Sequence, residues 1–494
     1  MTIPGRVSIV KASFRAPMTI TAAAEISFPQ AIRNAYALGQ EDEALEPIVR
    51  VDRSGKAVGR ISGGDSVVFY DVRGEREIQL TESLTEDTFA RFPVNKDLRL
   101  NFVTLIEYAR SLKVRVAFPP QEKLRNTLAE VLGRAGYPVI KISESEKAIH
   151  VGYFLNGRNE DLFPGEERVS VPSPQADSYA EVPEMAAGQV ARELSDRLQR
   201  STGGLIIANL ANVDVIGHIE DKNAVVRAVR CVDRVLGEIV EAVRREKAAL
   251  LVTSDHGTVE EWLYPDGTVN TGHTANPVPF ILADFSEGDP APVRLKKDGE
   301  LADVAPTILE LLEIPKPFEM TGQSLLLGRR KKGVPGKKAV LLILDGWGMR
   351  EEARGNLIQE AGTPVFDGLW GSFPRALLES SGEAVGMPPG AVGNSEAGHL
   401  HIGAGRRVLL DRVRIDKAVA DGGFFENDEL LRAAALARRN GRALHLMGIV
   451  SHYSSHGSIS HLFALLKLAK ARGLDKVFVH AFIGRRGERP ESGA

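Results

Sequence analysis

A chain of 494 residues is too long for one ordinary hydrophobic core, so two or three domains are expected. Hydrophobic residues at 43% and charged residues at 26% describe a soluble globular protein, and a formal net charge of -3 gives no reason to expect nucleic acid or an anionic membrane as partner. The single cysteine, Cys231, excludes a disulfide framework and reads as a core thiol. The apolar runs are too short to span a bilayer and no signal pattern opens the sequence, so a cytoplasmic protein is expected.

In chain order, 6–10 reads as a strand, 22–38 as a helix, and 66–70 as a compact β-branched strand. That strand ends in the basic turn Asp71-Val72-Arg73-Gly74-Glu75-Arg76. Strands follow at 98–104 and 114–118, and then an alternation sets in. Helix 122–135 leads to strands 138–142 and 148–153, helix 184–199, strand 205–210 and the long helix 223–245. Strands 248–253 and 279–283 and helix 302–312 complete it. At 328–336 the sequence turns basic and rich in Gly and Pro without apolar periodicity. It reads as an exposed linker, with a polybasic signal as the alternative. The alternation restarts with strand 339–344, helices 364–370 and 429–438, strand 444–450, helix 462–471 and strand 477–482. Strands separated by helices of these lengths predict α/β architecture with mostly parallel sheets. The chain starts on one strand and ends just past another. The crossover helix that parallel neighbours need would fall between its termini, which is the pattern of a circular permutation.

Chemistry-bearing residues collect where the strands end. Asp214 and His218 follow 205–210, and on a helix their i, i+4 spacing puts both on one face. Asp255-His256-Gly257 leaves 248–253, and Asp345-Gly346-Trp347-Gly348 leaves 339–344. His273 lies in Gly272-His273-Thr274-Ala275-Asn276-Pro277, ahead of 279–283. Singly, such an Asp is as ordinary as a helix cap or turn former, and such a His as a satisfied polar residue. Together they sit at the open end of a parallel sheet, where ligand sites form. Oxygen and imidazole donors without thiolates suit Mn²⁺, Zn²⁺ or Mg²⁺. With Ser395 they make a donor set about right for two ions.

Ser395 lies in Gly393-Asn394-Ser395-Glu396-Ala397-Gly398-His399, a glycine-flanked turn into a helix whose open end favours an anion. The same Asn-Ser-Glu is also an ordinary helix start. A serine hydroxyl bound to a cation ionises at neutral pH and becomes a nucleophile for in-line phosphoryl transfer. Such transfer needs positive charge around the equatorial oxygens. Arg73, Arg76, Lys147 and Arg486 are candidates for it, although each alone reads as a surface charge.

These stretches resemble the cofactor-independent phosphoglycerate mutases, members of the alkaline phosphatase superfamily. The likeness rests on Leu342-Ile343-Leu344-Asp345-Gly346-Trp347-Gly348, on the Ser395 motif and on Thr253-Ser254-Asp255-His256-Gly257. It extends to His273-Thr274-Ala275-Asn276-Pro277-Val278-Pro279 and to Asp214 through His218. It covers nearly the whole chain in rotated order, with the family's start near Lys337 and its two ends fused through 328–336. The resemblance implies an alkaline-phosphatase-like two-metal domain over 113–412, with 328–336 a surface linker on it. A phosphotransferase-like substrate domain would be assembled from 1–112 and 413–494. One ion would be held by Asp214, His218 and His273, the other by Asp345, Ser395, Asp255 and His256, with Mn²⁺ ahead of Mg²⁺ or Zn²⁺. Ser395 would be the phosphorylated nucleophile with Lys147 beside it, and Arg73, Arg76, His456 and Arg486 would hold the substrate. The implied activity is interconversion of 3-phosphoglycerate and 2-phosphoglycerate through a phosphoserine, by a monomer acting on a small phosphorylated substrate.

The departures from the family bear on that activity. Between Arg73 and Arg76 the usual Pro-Asp is absent, Gly487 stands where the family has Asp, and Ser13 and Thr19 stand where it has substrate-gripping arginines, with Arg15 nearby. Each lost charged hydrogen bond weakens the hold on a small anion by about 1.5–3 kcal/mol. A metal-dependent phosphatase or phosphotransferase with another substrate is therefore the alternative. A binding protein without turnover is the third reading, opposed by the intact metal ligands.

Overall fold

A computed structural model describes residues 6–8, 21–23, 27–40, 45–72, 74, 77–120, 123–176, 178–286, 293–328, 336–451, 456–483 and 493. The chain divides into two compact units, Met1–Gln121 with Asp411–Ala494, and Glu122–Leu410. The first cut falls after Gln121 rather than after 112, because Arg115–Val116 pairs in parallel with Asn101–Thr104 and extends that unit's sheet. The second falls before Asp411, because the helix Asp411–Asp421 packs on Ile459–Ala471 of the same unit. Residues 329–335 of the expected linker lie outside the described residues.

In the first unit the sheet is six-stranded and parallel throughout. Its order is Arg6–Ser8, Val477–Phe482, Leu444–Ile449, Ser66–Phe69, Asn101–Thr104 and Arg115–Val116. The two ends of the chain thus supply neighbouring strands, Arg6 standing opposite Phe478. Ser66–Phe69 is buried along its whole length, as a strand covered on both faces must be. Helices Asp428–Arg439 and Ile459–Ala471 start on side-chain caps, Asn427 and Ser458, and bury Leu430, Ala434, Leu465 and Leu468 against Val68, Val103 and Leu446.

The second unit is built on an eight-stranded mixed sheet. Ala249–Thr253, Lys338–Leu344, Gly204–Leu210, Val139–Glu144 and Glu166–Val171 run parallel in that spatial order, and Val278–Asp284 joins antiparallel to Ala249–Thr253. Alternate residues of the central strands feed two cores. Ile206, Leu250, Val252, Val340 and Leu342 face one, and Leu205, Leu251, Leu341 and Ile343 face the other. The long helix Lys222–Arg245, capped by the Asp221 side chain, covers the first face with Val225, Val232, Leu236 and Val243. Val304–Leu311 and Leu128–Arg134 cover the second, so the unit has three layers with every central strand buried.

The expected strand at 148–153 is not one. The chain makes a 3₁₀ turn at Ser145–Lys147 and a wide turn at His150–Phe154, closed by Leu155 N donating to His150 O at 3.0 Å. Sheet pairing of the preceding strand stops at Glu144. The apolar run after it buries Val151 and Leu155 as a helical turn does, through spacing rather than alternation.

Candidate metal centre

All the residues of this centre belong to the second unit, and most stand at the C-terminal ends of its parallel strands. Lys338–Leu344 delivers Asp345, Ala249–Thr253 delivers Asp255 and His256, and Val139–Glu144 leads into Lys147. Gly204–Leu210 runs into the short helix Asn212–Gly217, which carries Asp214 and ends on His218. His273 comes from the loop before Val278–Asp284. Ser395 opens the helix Ser395–Ala404, whose N-cap Asn394 accepts from Ala397 N at 2.8 Å.

Ser395 Oγ is surrounded by polar groups. Lys147 Nζ donates to it from 2.7 Å, His256 Nε2 is 3.0 Å away, and Asp345 Oδ1 accepts from it at 3.3 Å. The same ammonium donates to Asp214 Oδ2 at 2.6 Å and to Asp345 Oδ1 at 2.7 Å. Burial works against the charge on Lys147, but Asp345, Asp214 and Asp255 outweigh it and hold the amine protonated well beyond the usual lysine range. Burial pushes Asp345 up, and Asp255 and Asp214 push it further. Three buried carboxylates thus face one ammonium, an imbalance that favours additional cations.

The histidine tautomers follow from their partners. His218 Nδ1 lies 2.7 Å from Thr271 O and His273 Nδ1 2.8 Å from Gly393 O, and a carbonyl only accepts. Both protons are therefore assigned to Nδ1, so the Nε2 lone pairs face each other at 3.2 Å and Asp214 Oδ1 at 3.2 Å each. Asp214 Oδ1 is buried and accepts no hydrogen bond. Two nitrogen lone pairs and an unsatisfied carboxylate oxygen converging on one point are the donor set a divalent cation completes, with ring orientation fixed by the carbonyls. A second group, Asp214, His256 and Asp345, has its donor atoms within 4.8 Å of one another, and beside it Asp255 Oδ2 is likewise buried without a hydrogen bond.

His399 belongs to a further cluster with Asp255 and Asp345. Asn209 Nδ2 donates to Asp345 Oδ2 at 2.7 Å and so turns its other N–H to His399 Nε2 at 3.1 Å. That puts the His399 proton on Nδ1, 2.9 Å from Ser395 O and 3.2 Å from Asp255 Oδ2. His399 therefore donates to the Ser395 carbonyl with Asp255 Oδ2 beside it, and its Nε2 is taken by Asn209, so it supports the centre rather than ligating a cation. Neither Asn209 nor His399 was singled out from the sequence. A lone Asn in the apolar run 204–210, and a His one helical turn after Ser395, were the available signals.

Asp214, His218, Asp255, His256, His273, Asp345, Ser395 and Lys147 thus come together. Arg73, Arg76 and Arg486 lie outside the described residues, as do Gly487, Ser13, Arg15 and Thr19. His456 is in the first unit, where its Nδ1 faces Glu77 Oε1 at 3.2 Å and its carbonyl accepts from Val72 N.

The turn carrying Lys147 is anchored by Glu144, a fully buried carboxyl that accepts from Ala186 N at 2.9 Å and Ser173 Oγ at 3.0 Å. Burial raises it from 4.5 to about 7 against those hydrogen bonds. The native state therefore holds a proton there that the unfolded chain has lost between these two values. The contribution to stability is full below 4.5 and is lost as pH rises through 7, amounting to about 3 kcal/mol. Glu144→Gln can accept from Ala186 and donate to Ser173 with no charge to bury. Thermal melts of the two proteins should coincide near pH 4.5 and diverge to about 3 kcal/mol in favour of the variant at pH 8. A difference that does not change with pH would refute this.

Comparison with known proteins covers part of this centre, including Lys147, Asp214, His218, Asp255, His256 and His273, while Asp345 and Ser395 lie outside both family matches. The family model of the metalloenzyme superfamily matches residues 15–316, and that of the BPG-independent PGAM N-terminus matches residues 415–494. The 2,3-bisphosphoglycerate-independent phosphoglycerate mutase of Cyanothece sp. is 41% identical over 300 residues, 60% of this chain and 55% of the relative. That of Thermomicrobium roseum is 44% identical over 302 residues, 60% of this chain and 57% of the relative. The chain spans little more than half the length of these curated relatives. A crystal structure of Leishmania mexicana phosphoglycerate mutase at low cobalt concentration aligns with 63% of this chain and 59% of its own, with a TM-score of 0.46 and 25% identity.

Proposed function

The chain belongs to the metalloenzyme superfamily, and from that premise we propose that it interconverts 3-phosphoglycerate and 2-phosphoglycerate through a phosphoserine on Ser395. The curated relatives are named 2,3-bisphosphoglycerate-independent phosphoglycerate mutase, and the carrying observation is the surroundings of the Ser395 hydroxyl, 2.7 Å from Lys147 Nζ and 3.0 Å from His256 Nε2. We assign two divalent ions, Mn²⁺ ahead of Mg²⁺ or Zn²⁺. Asp214, His218 and His273 would hold one, and Asp345, Ser395, Asp255 and His256 the other. When bound, the ions supply Lewis-acid activation of the serine hydroxyl and positive charge for the phosphoryl oxygens.

The chain's own groups divide the remaining work. Lys147 donates to Ser395 Oγ and favours its ionised form, and the same contact stabilises Oγ as the leaving group when the phosphoryl group returns. As the Oγ–P bond forms, the bond from phosphorus to the glycerate oxygen breaks; return to the neighbouring hydroxyl gives the isomer. The N-terminus of Ser395–Ala404 favours the phosphoryl anion, Asn209 holds Asp345 in place, and His399 braces the Ser395 backbone through its carbonyl. In this reading the unit Glu122–Leu410 is the phosphatase-like domain, and the other unit binds substrate through Arg73, Arg76, His456 and Arg486. A permuted order is supported by the N-terminal family model matching at 415–494, after the metalloenzyme match. Among the described residues no helix is long and apolar enough to cross a membrane. The proposed protein is a cytoplasmic monomer that acts on a small phosphorylated substrate.

Gly487, Ser13 and Thr19 favour a second reading, in which glycerate escapes and water takes the phosphate from Ser395. The two part in one assay on 3-phosphoglycerate with added Mn²⁺, following 2-phosphoglycerate and free phosphate together. The mutase reading expects 2-phosphoglycerate with little phosphate, and dominant phosphate release would establish the phosphatase. Neither product, with no phosphoserine found by mass spectrometry, would remove both.

A further inference from the structure

Glu260 is not among the cation donors, yet its carboxylate sits where the loops that carry them meet. It is fully buried, in the 3₁₀ turn Val259–Glu261. Its Oε2 accepts from Thr258 N at 2.8 Å, and its Oε1 accepts from Thr274 Oγ1 and, at 3.0 Å, from Asn276 Nδ2. Thr258 ends the loop that presents Asp255 and His256, whereas Thr274 and Asn276 follow His273. The same two loops touch through their backbones, Thr274 N donating to Gly257 O at 3.1 Å. Gly257 and Gly348 make the room, because a side chain at either would overlap the Glu260 carboxylate. Gly348 ends the Asp345 loop, so that loop also closes onto Glu260. These hydrogen-bond partners are all donors, so the position calls for two acceptor oxygens.

Resting on the two-ion reading above, we infer that Glu260 is a positioning residue that locks the Asp255–His256 loop to the His273 loop and so fixes the two cation sites relative to each other. The His256 and His273 rings stack with centroids 3.9 Å apart, and each is assigned to a different ion. Their separation is set by the two loops that Glu260 joins. A group that acts only by orienting ligands changes metal affinity without touching the ion.

Glu260→Gln keeps the shape but turns one oxygen into an amide that must face a donor. Calorimetric titration of Mn²⁺ into metal-stripped protein should give two equivalents for the parent and binding about 10- to 100-fold weaker for the variant. Thr274→Val removes one of the donors and should shift affinity in the same direction, which keeps the inference open to test if Glu260→Gln does not fold. Glu261→Gln, a neighbour that accepts from the far side of Asn276, should stay within about twofold of the parent. Unchanged Mn²⁺ affinity in folded Glu260→Gln or Thr274→Val, beside a parent that binds two equivalents, overturns the inference and leaves the two-ion reading standing. A parent that binds fewer than two equivalents overturns both.

Discussion

Ser395→Ala is expected to abolish turnover, with a loss on the order of 10⁴- to 10⁶-fold in kcat, the scale seen when a covalent nucleophile is removed. No neighbour can take over. Lys147, 2.7 Å away, is held protonated by Asp345, Asp214 and Asp255 and has no lone pair to offer, and His256 Nε2 is the nitrogen that faces the cation donors. The substitution removes only an oxygen from a buried helix start whose cap, Asn394, is untouched. Stability should therefore change by about 1 kcal/mol. The measurement is steady-state turnover of 3-phosphoglycerate beside mass spectrometry of the Ser395 peptide after incubation with substrate. A folded variant that still turns over at the parental rate would end the phosphoserine scheme, whatever became of the metals.

Much of this centre was legible because its residues follow directly on buried strands. In a parallel sheet, apolar runs such as 248–253 and 339–344 must be strands, and whatever follows lies at the ligand-binding edge. Asp255, His256 and Asp345 could therefore be placed from local sequence alone. Asp214 and His218 were legible as an i, i+4 pair, and the helix Asn212–Gly217 carries them on one face. What escaped were groups whose role depends on which loops meet in space. Glu260 and Asn209 have neighbours in sequence that say nothing of Thr274 or Asp345, and the inner strand Arg375–Glu379 carries Ala376-Leu377-Leu378 in a row, so its alternating burial does not show in the sequence. The 148–153 stretch misled because the same β-branched and aromatic residues fill a turn that has to bury Val151 and Leu155.

Lys147→Met should have the second largest effect, on stability and on rate together. The ammonium touches Asp214 Oδ2 at 2.6 Å, Asp345 Oδ1 at 2.7 Å and Ser395 Oγ at 2.7 Å, with the lysine side chain 5% exposed. Removing one partner of a buried ion pair strands the other, at about 3–5 kcal/mol, so the variant should melt well below the parent in the presence of a chelator. Divalent cations bind the native state alone and return charge to the same carboxylates. Mn²⁺ should therefore raise the melting temperature of the variant more than that of the parent. The rate should not recover with the fold, because the donor aimed at Oγ is still missing, and a fall in kcat of about 10²–10³-fold is expected even in saturating Mn²⁺. Lys147→Arg restores charge without restoring shape. A planar guanidinium cannot place one compact donor among three oxygens in a buried space, so it should rescue part of the stability and little of the rate. If Lys147→Met in saturating Mn²⁺ keeps kcat within about threefold of the parent, the lysine serves the fold and not the transfer of the phosphoryl group.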